Sequence, residues 1–153
     1  SAATLPVTME CVEQNLGVHK EISSFVLPIG ATVNMDGTSL YQAVAVIFLA
    51  QIHMIDLTIG QQITVVVTAT LASVGSAAVP SAGLVMLIIV LSSVGLNPAW
   101  IAIIFPVDRI LDMFRTVVNV TGDATVSSII ADGENMLDYK DKVSPTETFD
   151  LDS

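Results

Sequence analysis

The sequence predicts an all-α membrane protein, and three observations lead to that class. Apolar residues make up 52% of the 153 residues, only 13% are charged, and the mean hydropathy is +0.74. A soluble domain usually carries about 25% charged residues. Between Glu21 and Asp108 the charged residues are Asp36 and Asp56 alone. Near the C-terminal end, charged residues recur at helical spacing among apolar ones, which is typical of a membrane helix that faces a polar site.

Composition excludes several classes of function. The net charge is −10, and seven of the fifteen acidic residues lie between Asp132 and Asp152, so the acidity is concentrated at one end. Five basic residues do not form a patch for phosphate or nucleic acid. The single Cys11 excludes an internal disulfide and a cysteine metal cluster. The chain begins without Met or a signal-peptide pattern and reads as the C-terminal part of a longer protein.

The first half of the chain predicts a short helical segment and then a broken helix. Residues 1–18 are moderately apolar, with Pro6 suited to a first helical turn. Residues 23–53 contain two apolar halves, each shorter than the roughly 20 residues that cross a bilayer. The residues that join these halves disfavour helix: Gly30, Asn34, Asp36 and Gly37. Broken backbone in a membrane is tolerated only where it faces protein or a lined cavity.

Residues 57–107 contain no charge and predict a helical hairpin. Two apolar arms, at 63–74 and 84–96, flank a tip of small residues with one proline at 75–83. Arms of this length favour a re-entrant hairpin over about residues 58–96. Two full spans with a tight turn are the alternative, and length does not decide between them.

The last predicted helix covers residues 98–131 and carries the polar stripe. At about 100° per residue, six polar side chains fall within an arc of roughly 100°. They are Asp108, Asp112, Arg115, Thr116, Asn119 and Asp123. Residues 132–153 are polar and acidic without an apolar period, and predict a disordered tail. Trp100 suits a membrane interface and Tyr41 a packing role.

The stripe can bind both an anion and a cation. Arg115 keeps its proton, and its planar fork can hold a carboxylate. Asp112, one turn earlier, either neutralises Arg115 or meets an ammonium group, with Thr116 and Asn119 as hydrogen-bonding partners. Hard oxygen ligands for a cation such as Na⁺ come from the carboxylates and amides of the join and the stripe: Asn34, Asp36, Asp108, Asn119 and Asp123. Ion pairs that only fix helix packing are the alternative, but they leave much of the acidic charge uncompensated.

Three motifs in this order resemble the dicarboxylate/amino acid:cation symporter family, the glutamate and aspartate transporters. They are NMDGT at 34–38, ASVGSAAVPSAG at 72–83 and DRILDMFRTVVNVTGD at 108–123, and the likeness extends over about residues 1–131. The resemblance implies the C-terminal core of a glutamate-transporter-like fold. In that fold residues 1–131 form part of a transport domain: the end of a first hairpin (1–18), the broken helix (23–53), a second re-entrant hairpin (58–96) and the last transmembrane helix (98–131).

The resemblance also implies a substrate site. Arg115 would hold the side-chain carboxylate of the substrate, and Asp112 would accept its α-ammonium. Further contacts would come from Thr116, Asn119 and Thr38, and from main-chain groups near Val79 and Gly83. Ser1 would belong to the serine-rich tip of the first hairpin.

Three sodium sites follow from the same resemblance. The first would use Asn119 and Asp123 with the carbonyls of Gly30 and Asn34. The second would use the carbonyls of Thr32, Ser73, Val74 and Ser76, near Met35. The third would use Asn34 and Asp36 with ligands from outside this chain. No cofactor is expected, and Na⁺ is the coupling ion.

The resemblance implies a secondary active transporter, not an enzyme, that moves glutamate or aspartate with Na⁺ by elevator-type alternating access. It would be a homotrimeric multi-pass protein of the cell membrane, in contact with lipid. Because Asp112 and Arg115 are both present, an acidic amino acid is favoured over a C4-dicarboxylate or a neutral amino acid. Proton coupling is the first alternative. A membrane domain that binds a ligand or is structural, and does not cycle, is an alternative of another class.

Overall fold

The computed structural model describes residues 1–76 and 81–138, and the regular secondary structure within them is helical. Val79 and residues 139–153, most of the predicted tail, lie outside the described residues. Short 3₁₀ helices cover Ala2–Thr4, Pro98–Ile103 and Phe105–Val107. The α-helices are α1 (Leu5–Gln14), α2 (Lys20–Val33), α3 (Asp36–Ile52), α4 (Ile59–Val74), α5 (Ala82–Ser93) and α6 (Asp108–Gly133).

The apolar stretch between residues 20 and 52 is interrupted where its polar join lies. Asn34 has φ −90° and ψ 90°, and Met35 has φ −113° and ψ 43°, so both leave helical backbone. α2 begins at Lys20, a little before the predicted start at 23, because His19 caps it by accepting a hydrogen bond from the Glu21 N–H. The interruption places the C-terminal end of α2 beside the N-terminal end of α3.

α4 and α5 form a helical pair that packs against α3. They contain 16 and 12 residues, or about 24 and 18 Å at roughly 1.5 Å per residue. Thr58 and Gln61 form a capping box that starts α4. The largest core cluster lies between these three helices and includes Val46, Leu49, Val65, Leu87 and Leu91.

Within the described residues, the model contains no helix that is both long enough and apolar enough to span a membrane.

The last helix begins at Asp108, ten residues after the predicted start at 98. Residues 98–107 instead form two 3₁₀ turns, which begin with Pro98 and contain Pro106. Proline lacks an N–H and disfavours α-helical backbone in the residue before it, so a continuous α-helix through this segment is disfavoured. The segment is nevertheless fixed. Trp100 stacks on the imidazole of His53, with ring centroids 3.5 Å apart.

The residues that follow α6 are ordered further than the sequence predicts. Residues 132–138 were expected to belong to the disordered tail, but α6 continues to Gly133 and Leu137 then pairs with Val18 in an antiparallel bridge. The Asp138 N–H donates to the Gly17 carbonyl at 2.8 Å. Leu137 packs against a second core cluster formed by Val12, Val18, Leu27 and Ala131. Apolar packing and main-chain hydrogen bonds together therefore hold this acidic segment against the turn between α1 and α2.

Gly17 and Gly95 provide a matched test of this contact between the two chain segments. Both have φ +78°, but a Cβ at Gly17 would collide with the Asp138 backbone, whereas a Cβ at Gly95 meets nothing within 4 Å. Alanine at either position carries a backbone cost of about 1–2 kcal/mol. We expect Gly17→Ala to cost about 1–3 kcal/mol more than Gly95→Ala, because the segment must also shift. Thermal unfolding of the whole protein in detergent measures both, and equal losses would contradict the contact.

Candidate functional site

The polar stripe of α6 is buried against the interrupted helix pair α2–α3. α6 packs on both helices, and its stripe faces the point where they separate. Five polar side chains of α6 have an exposed fraction of 4% or less, namely Asp108, Arg115, Asn119, Asp123 and Ser127. The outward face carries apolar side chains instead, including Ile110, Met113, Phe114 and Val117.

Arg115 is held by two carboxylates of its own helix and by an aromatic ring. Its Nη2 donates to Asp112 Oδ1 at 2.8 Å, and its Nη1 donates to Asp108 Oδ1 at 3.1 Å. The guanidinium carbon lies 4.1 Å from the centre of the Tyr41 ring, and the Tyr41 hydroxyl donates to Asp108 Oδ1 at 3.4 Å. The Asp112 side chain is 25% exposed and that of Arg115 only 4%, so Asp112 forms the open side of the cluster.

Asn119 joins three parts of the chain in one place. Its Oδ1 accepts a hydrogen bond from the Gly37 N–H at 2.8 Å, in the first turn of α3. Its Nδ2 donates to Ser1 Oγ at 3.1 Å and lies 3.4 Å from the sulfur of Met35. A Cβ at Gly37 would collide with the Arg115 carbonyl, so the close approach of α3 to α6 requires glycine.

Asp123 is a buried carboxylate that forms no ion pair within the described residues. Its Oδ1 accepts a hydrogen bond from Asn34 Nδ2 at 2.9 Å. A Cβ at Gly122 would lie 2.6 Å from Asn34 Nδ2, and one at Gly30 would collide with the Asp123 carboxylate. The glycines thus let the end of α2 approach α6 until carboxylate, amide and backbone oxygens lie close together.

The start of α5 closes the cluster next to Arg115. A Cβ at Gly83 would lie 2.9 Å from Thr38 Cγ2 and 3.5 Å from Arg115 Nη1. The fully buried Gln42 donates from Nε2 to the Gly83 carbonyl at 3.2 Å. The α4–α5 pair therefore reaches the guanidinium through backbone, not through a large side chain.

The structure brings together most of the predicted site residues but leaves others at its edge. Thr116 donates to the Asp112 carbonyl, one turn back on its own helix, and lies in the groove between α1 and α6. Asp36 is exposed and borders an open cleft of about 510 Å³ that also reaches Asn34 and Gly122.

The predicted second cation site is the least assembled part. Ser73 and Ser76 are buried at the end of α4, where the Ser76 N–H donates to the Ser73 carbonyl at 3.0 Å. Val74 is 53% exposed and Thr32 is exposed, with its hydroxyl bonded to the Ile29 carbonyl. Among the described residues, no hydrogen bond connects Thr32 to these α4 residues.

Sequence reasoning missed Tyr41 and Gln42, and it used Asp108 only as a cation ligand. Tyr41 was interpreted as a packing residue, yet it contacts Arg115 and Asp108. A signal for Gln42 existed, because it follows Thr38 by four residues on an otherwise apolar helix and so shares its face. Two buried side chains, Gln42 and Asp108, each keep one oxygen without a hydrogen-bond partner in the described residues. These oxygens are Gln42 Oε1 and Asp108 Oδ2.

The arrangement suits a ligand of mixed charge together with a cation. Three carboxylates, those of Asp108, Asp112 and Asp123, are buried or half-buried. Arg115 supplies one positive charge, which Asp108 and Asp112 share, so negative charge remains in excess. Buried charge without a counter-charge is costly, and a bound cation would remove that cost. The described residues contain no group of three or more His, Cys, Asp or Glu side chains placed to hold a metal ion. A cation here would depend on amide and main-chain oxygens as well as on Asp123.

Comparison with known proteins identifies the family of the chain. A model of the "Sodium:dicarboxylate symporter family" matches residues 1–132. The chain is 58% identical over 130 residues to excitatory amino acid transporter 3 of Oryctolagus cuniculus and of Homo sapiens, and 55% identical to an excitatory amino acid transporter of Caenorhabditis elegans. Each match covers 85% of this chain but only 25–26% of the relative.

The chain thus spans about a quarter of the length of these relatives. All three are named as transporters and none as an enzyme. The family model extends from the first residue through the whole of the polar stripe of α6, so every residue of the site lies within the match. The chain belongs to the sodium:dicarboxylate symporter family.

Proposed function

We propose that this chain forms the substrate- and cation-binding part of a sodium-coupled transporter for an acidic amino acid. The observation that carries the proposal is the buried Arg115–Asp112 pair, open on its Asp112 side and located about two to three helical turns from the uncompensated Asp123. Such a pair matches a ligand that carries both a carboxylate and an ammonium group. Glutamate and aspartate have this chemistry.

Binding of the amino acid exchanges one ion pair for two. The side-chain carboxylate of the substrate takes the fork of Arg115, and Asp112 turns to the α-ammonium. Asp108 and Tyr41 hold the guanidinium independently of Asp112, so Arg115 stays in position during the exchange. Thr38, Asn119 and Thr116 orient the ligand by hydrogen bonds. Ser1, Gly83 and the backbone near Val79 cover it.

The sodium ion compensates Asp123. The carboxylate lies beside Asn34, Gly30 and Asn119, whose amide and carbonyl oxygens are the hard ligands that Na⁺ takes. A second ion at Thr32, Met35, Ser73, Val74 and Ser76, and a third at Asn34 and Asp36, remain predictions of the family resemblance.

Coupling follows from the shared position of Asn119. The side-chain amide of Asn119 contacts the first turn of α3, Ser1 and the Met35 sulfur. The main-chain carbonyl oxygen of Asn119 lies 3.5 Å from Asn34 Nδ2. An ion that orders this region prepares the substrate site, and the substrate does the same for the ion. By linkage, each raises the affinity of the other by the same factor.

Transport requires the whole protein. We propose that α4 and α5 form a re-entrant hairpin that opens and closes over the site, and that this unit moves in elevator fashion against a scaffold. In this proposal the whole protein is a homotrimer in the cell membrane. Family membership supports it, and so do the lengths of α4 and α5, which are both shorter than the roughly 20 residues that cross a bilayer. Proton coupling and a non-cycling binding domain are the alternatives, and the experiments below separate them.

The first prediction of the proposed function concerns Arg115. In full-length purified protein, titration calorimetry should detect L-aspartate or L-glutamate binding that requires Na⁺. Arg115→Gln should weaken that binding about 100-fold or more, because a buried carboxylate loses a charged, two-pronged partner. Lys20→Gln removes the same charge from an exposed position at the start of α2, and we expect it to leave the affinity unchanged.

Other results would point elsewhere. Binding that ignores Na⁺ but changes steeply with pH would favour proton coupling. Failure of both amino acids to bind the wild-type protein would remove the substrate assignment. Tight Na⁺-dependent binding without uptake in proteoliposomes would favour the non-cycling domain.

The second prediction concerns Asp112. Asp112→Asn keeps the size of the side chain but removes the charge that meets the ammonium group. L-Aspartate affinity should fall about 10- to 100-fold, while succinate, which has no ammonium group, should bind as well as before or better. The ratio of the two dissociation constants is the readout. An equal loss for both ligands would contradict the assigned role.

The third prediction concerns Asp123. Asp123→Asn should raise the Na⁺ concentration that half-saturates aspartate binding about tenfold or more, because the ion loses its carboxylate ligand. Saturating Na⁺ should restore much of the aspartate affinity. Asp56→Asn, an exposed carboxylate in the α3–α4 loop, is the matched control. A sodium requirement equal in both variants would argue against a cation at Asp123.

A further inference from the structure

We propose that Arg109 is a second partner for Asp112 and thereby sets how far the site tolerates dicarboxylates that lack an ammonium group. The inference rests on the proposed function. Arg109 is exposed and forms neither a hydrogen bond nor an ion pair with the described residues. Its neighbour Asp108 is buried and bonds Arg115 and Tyr41 through Oδ1, and it forms no ion pair with Arg109.

Helix geometry places Arg109 beside Asp112. Residues three apart on an α-helix are surface neighbours, with Cβ atoms about 5–6 Å apart. Asp112 uses Oδ1 for Arg115, and its Oδ2 forms no hydrogen bond with the described residues. The Asp112 side chain is 25% exposed, so part of this carboxylate is open to solvent. Asp112 is therefore located between two guanidinium groups. That of Arg115 is buried and ion-paired, and that of Arg109 is exposed and forms no ion pair with the described residues.

The surroundings of Arg109 favour an anionic neighbour. It is the second residue of α6, where the positive end of the helix dipole disfavours a cation. Nearby exposed side chains are apolar, with Phe105 69% and Met113 65% exposed. Asp108 and Asp112 each keep one carboxylate oxygen without a hydrogen bond in the described residues. The Asp108 side chain is 4% exposed and that of Asp112 is 25% exposed, so the accessible carboxylate within one helical turn on α6 is that of Asp112.

The two classes of ligand place different demands on Asp112. A ligand carboxylate that takes Arg115 releases Asp112 from its ion pair. An amino acid then supplies an ammonium group to Asp112, whereas a dicarboxylate supplies nothing and leaves a half-buried negative charge next to its own. Arg109 can turn to Asp112 Oδ2 and compensate this charge. It therefore matters for binding of a dicarboxylate and much less for binding of an amino acid.

A double-mutant cycle on full-length protein tests the proposal. Dissociation constants of L-aspartate and succinate are measured at saturating Na⁺ and fixed ionic strength for the wild type, Arg109→Gln, Asp112→Asn and the double variant. We expect Arg109→Gln to weaken succinate about five- to tenfold and aspartate less than about twofold. In the Asp112→Asn background the effect of Arg109→Gln on succinate should disappear. Arg109→Lys should retain most of the affinity, and Lys20→Gln should change neither ligand.

The cycle separates a partner of Asp112 from a distant positive charge. A distant charge attracts the doubly charged succinate more than aspartate, but it would do so whether or not Asp112 is present. An effect of Arg109→Gln that persists with Asp112→Asn would overturn the proposal, and so would equal losses for both ligands. Wild-type protein that binds aspartate but no succinate would also overturn it. Wild-type protein that binds neither ligand would overturn this inference together with the proposed function.

Discussion

The hydrogen bond from the Gly37 N–H to Asn119 Oδ1 is the contact on which the rest of the site depends. The first N–H groups of a helix have no partner within it, and when such an end is buried it needs a partner from elsewhere. α3 begins inside the protein, directly after the interruption at Asn34 and Met35, and α6 supplies the partner. Gly37 allows the contact because a side chain there would collide with the backbone at Arg115. The bond therefore fixes the first turn of α3 against the part of α6 that contains Arg115. This position places Thr38 and Tyr41 beside the guanidinium.

Charge in the site is distributed along α6 by helical spacing. Asp108, Arg115 and Asp123 are buried on one face because intervals of seven and eight residues turn the helix by about −20° and about 80°, which keeps all three within an arc of roughly 80°. The three residues nevertheless have different surroundings. Arg115 is compensated near the start of the helix, whereas Asp123 accepts its hydrogen bond from the neutral amide of Asn34 where α2 ends. One helix thus carries a region with a compensated cation and a region with an uncompensated carboxylate, with Asn119 between them.

The sequence could predict the features that depend on local pattern. The stripe of α6 and the interruption of the helix near Asn34 follow from spacing and from residues that disfavour helix. Prediction failed where tertiary contacts decide. The segment after α6 is acidic, and contacts distant in sequence order it: Leu137 packs against Val18, and the main chain bonds to Gly17 and His19. Gln42 and Tyr41 lie in a mostly apolar helix, and their contacts are with Gly83 and Arg115, which are distant in sequence. The prolines at 98 and 106 were visible, but apolar composition suggested a longer helix than their backbone limits allow.

Compensating Arg115 through two carboxylates, not one, has a functional consequence. If Asp112 were the only partner, a ligand that displaced it would also release the guanidinium, and the cost of ordering that long side chain would reduce the affinity. Asp108 and the Tyr41 ring hold Arg115 from the buried side, and neither is exposed enough for a ligand to displace it easily. In the proposed function Asp112, on the open side, changes partners while Asp108 and Tyr41 keep Arg115 in position. The asymmetry between a fixed and an exchangeable carboxylate keeps the proposed site preorganised.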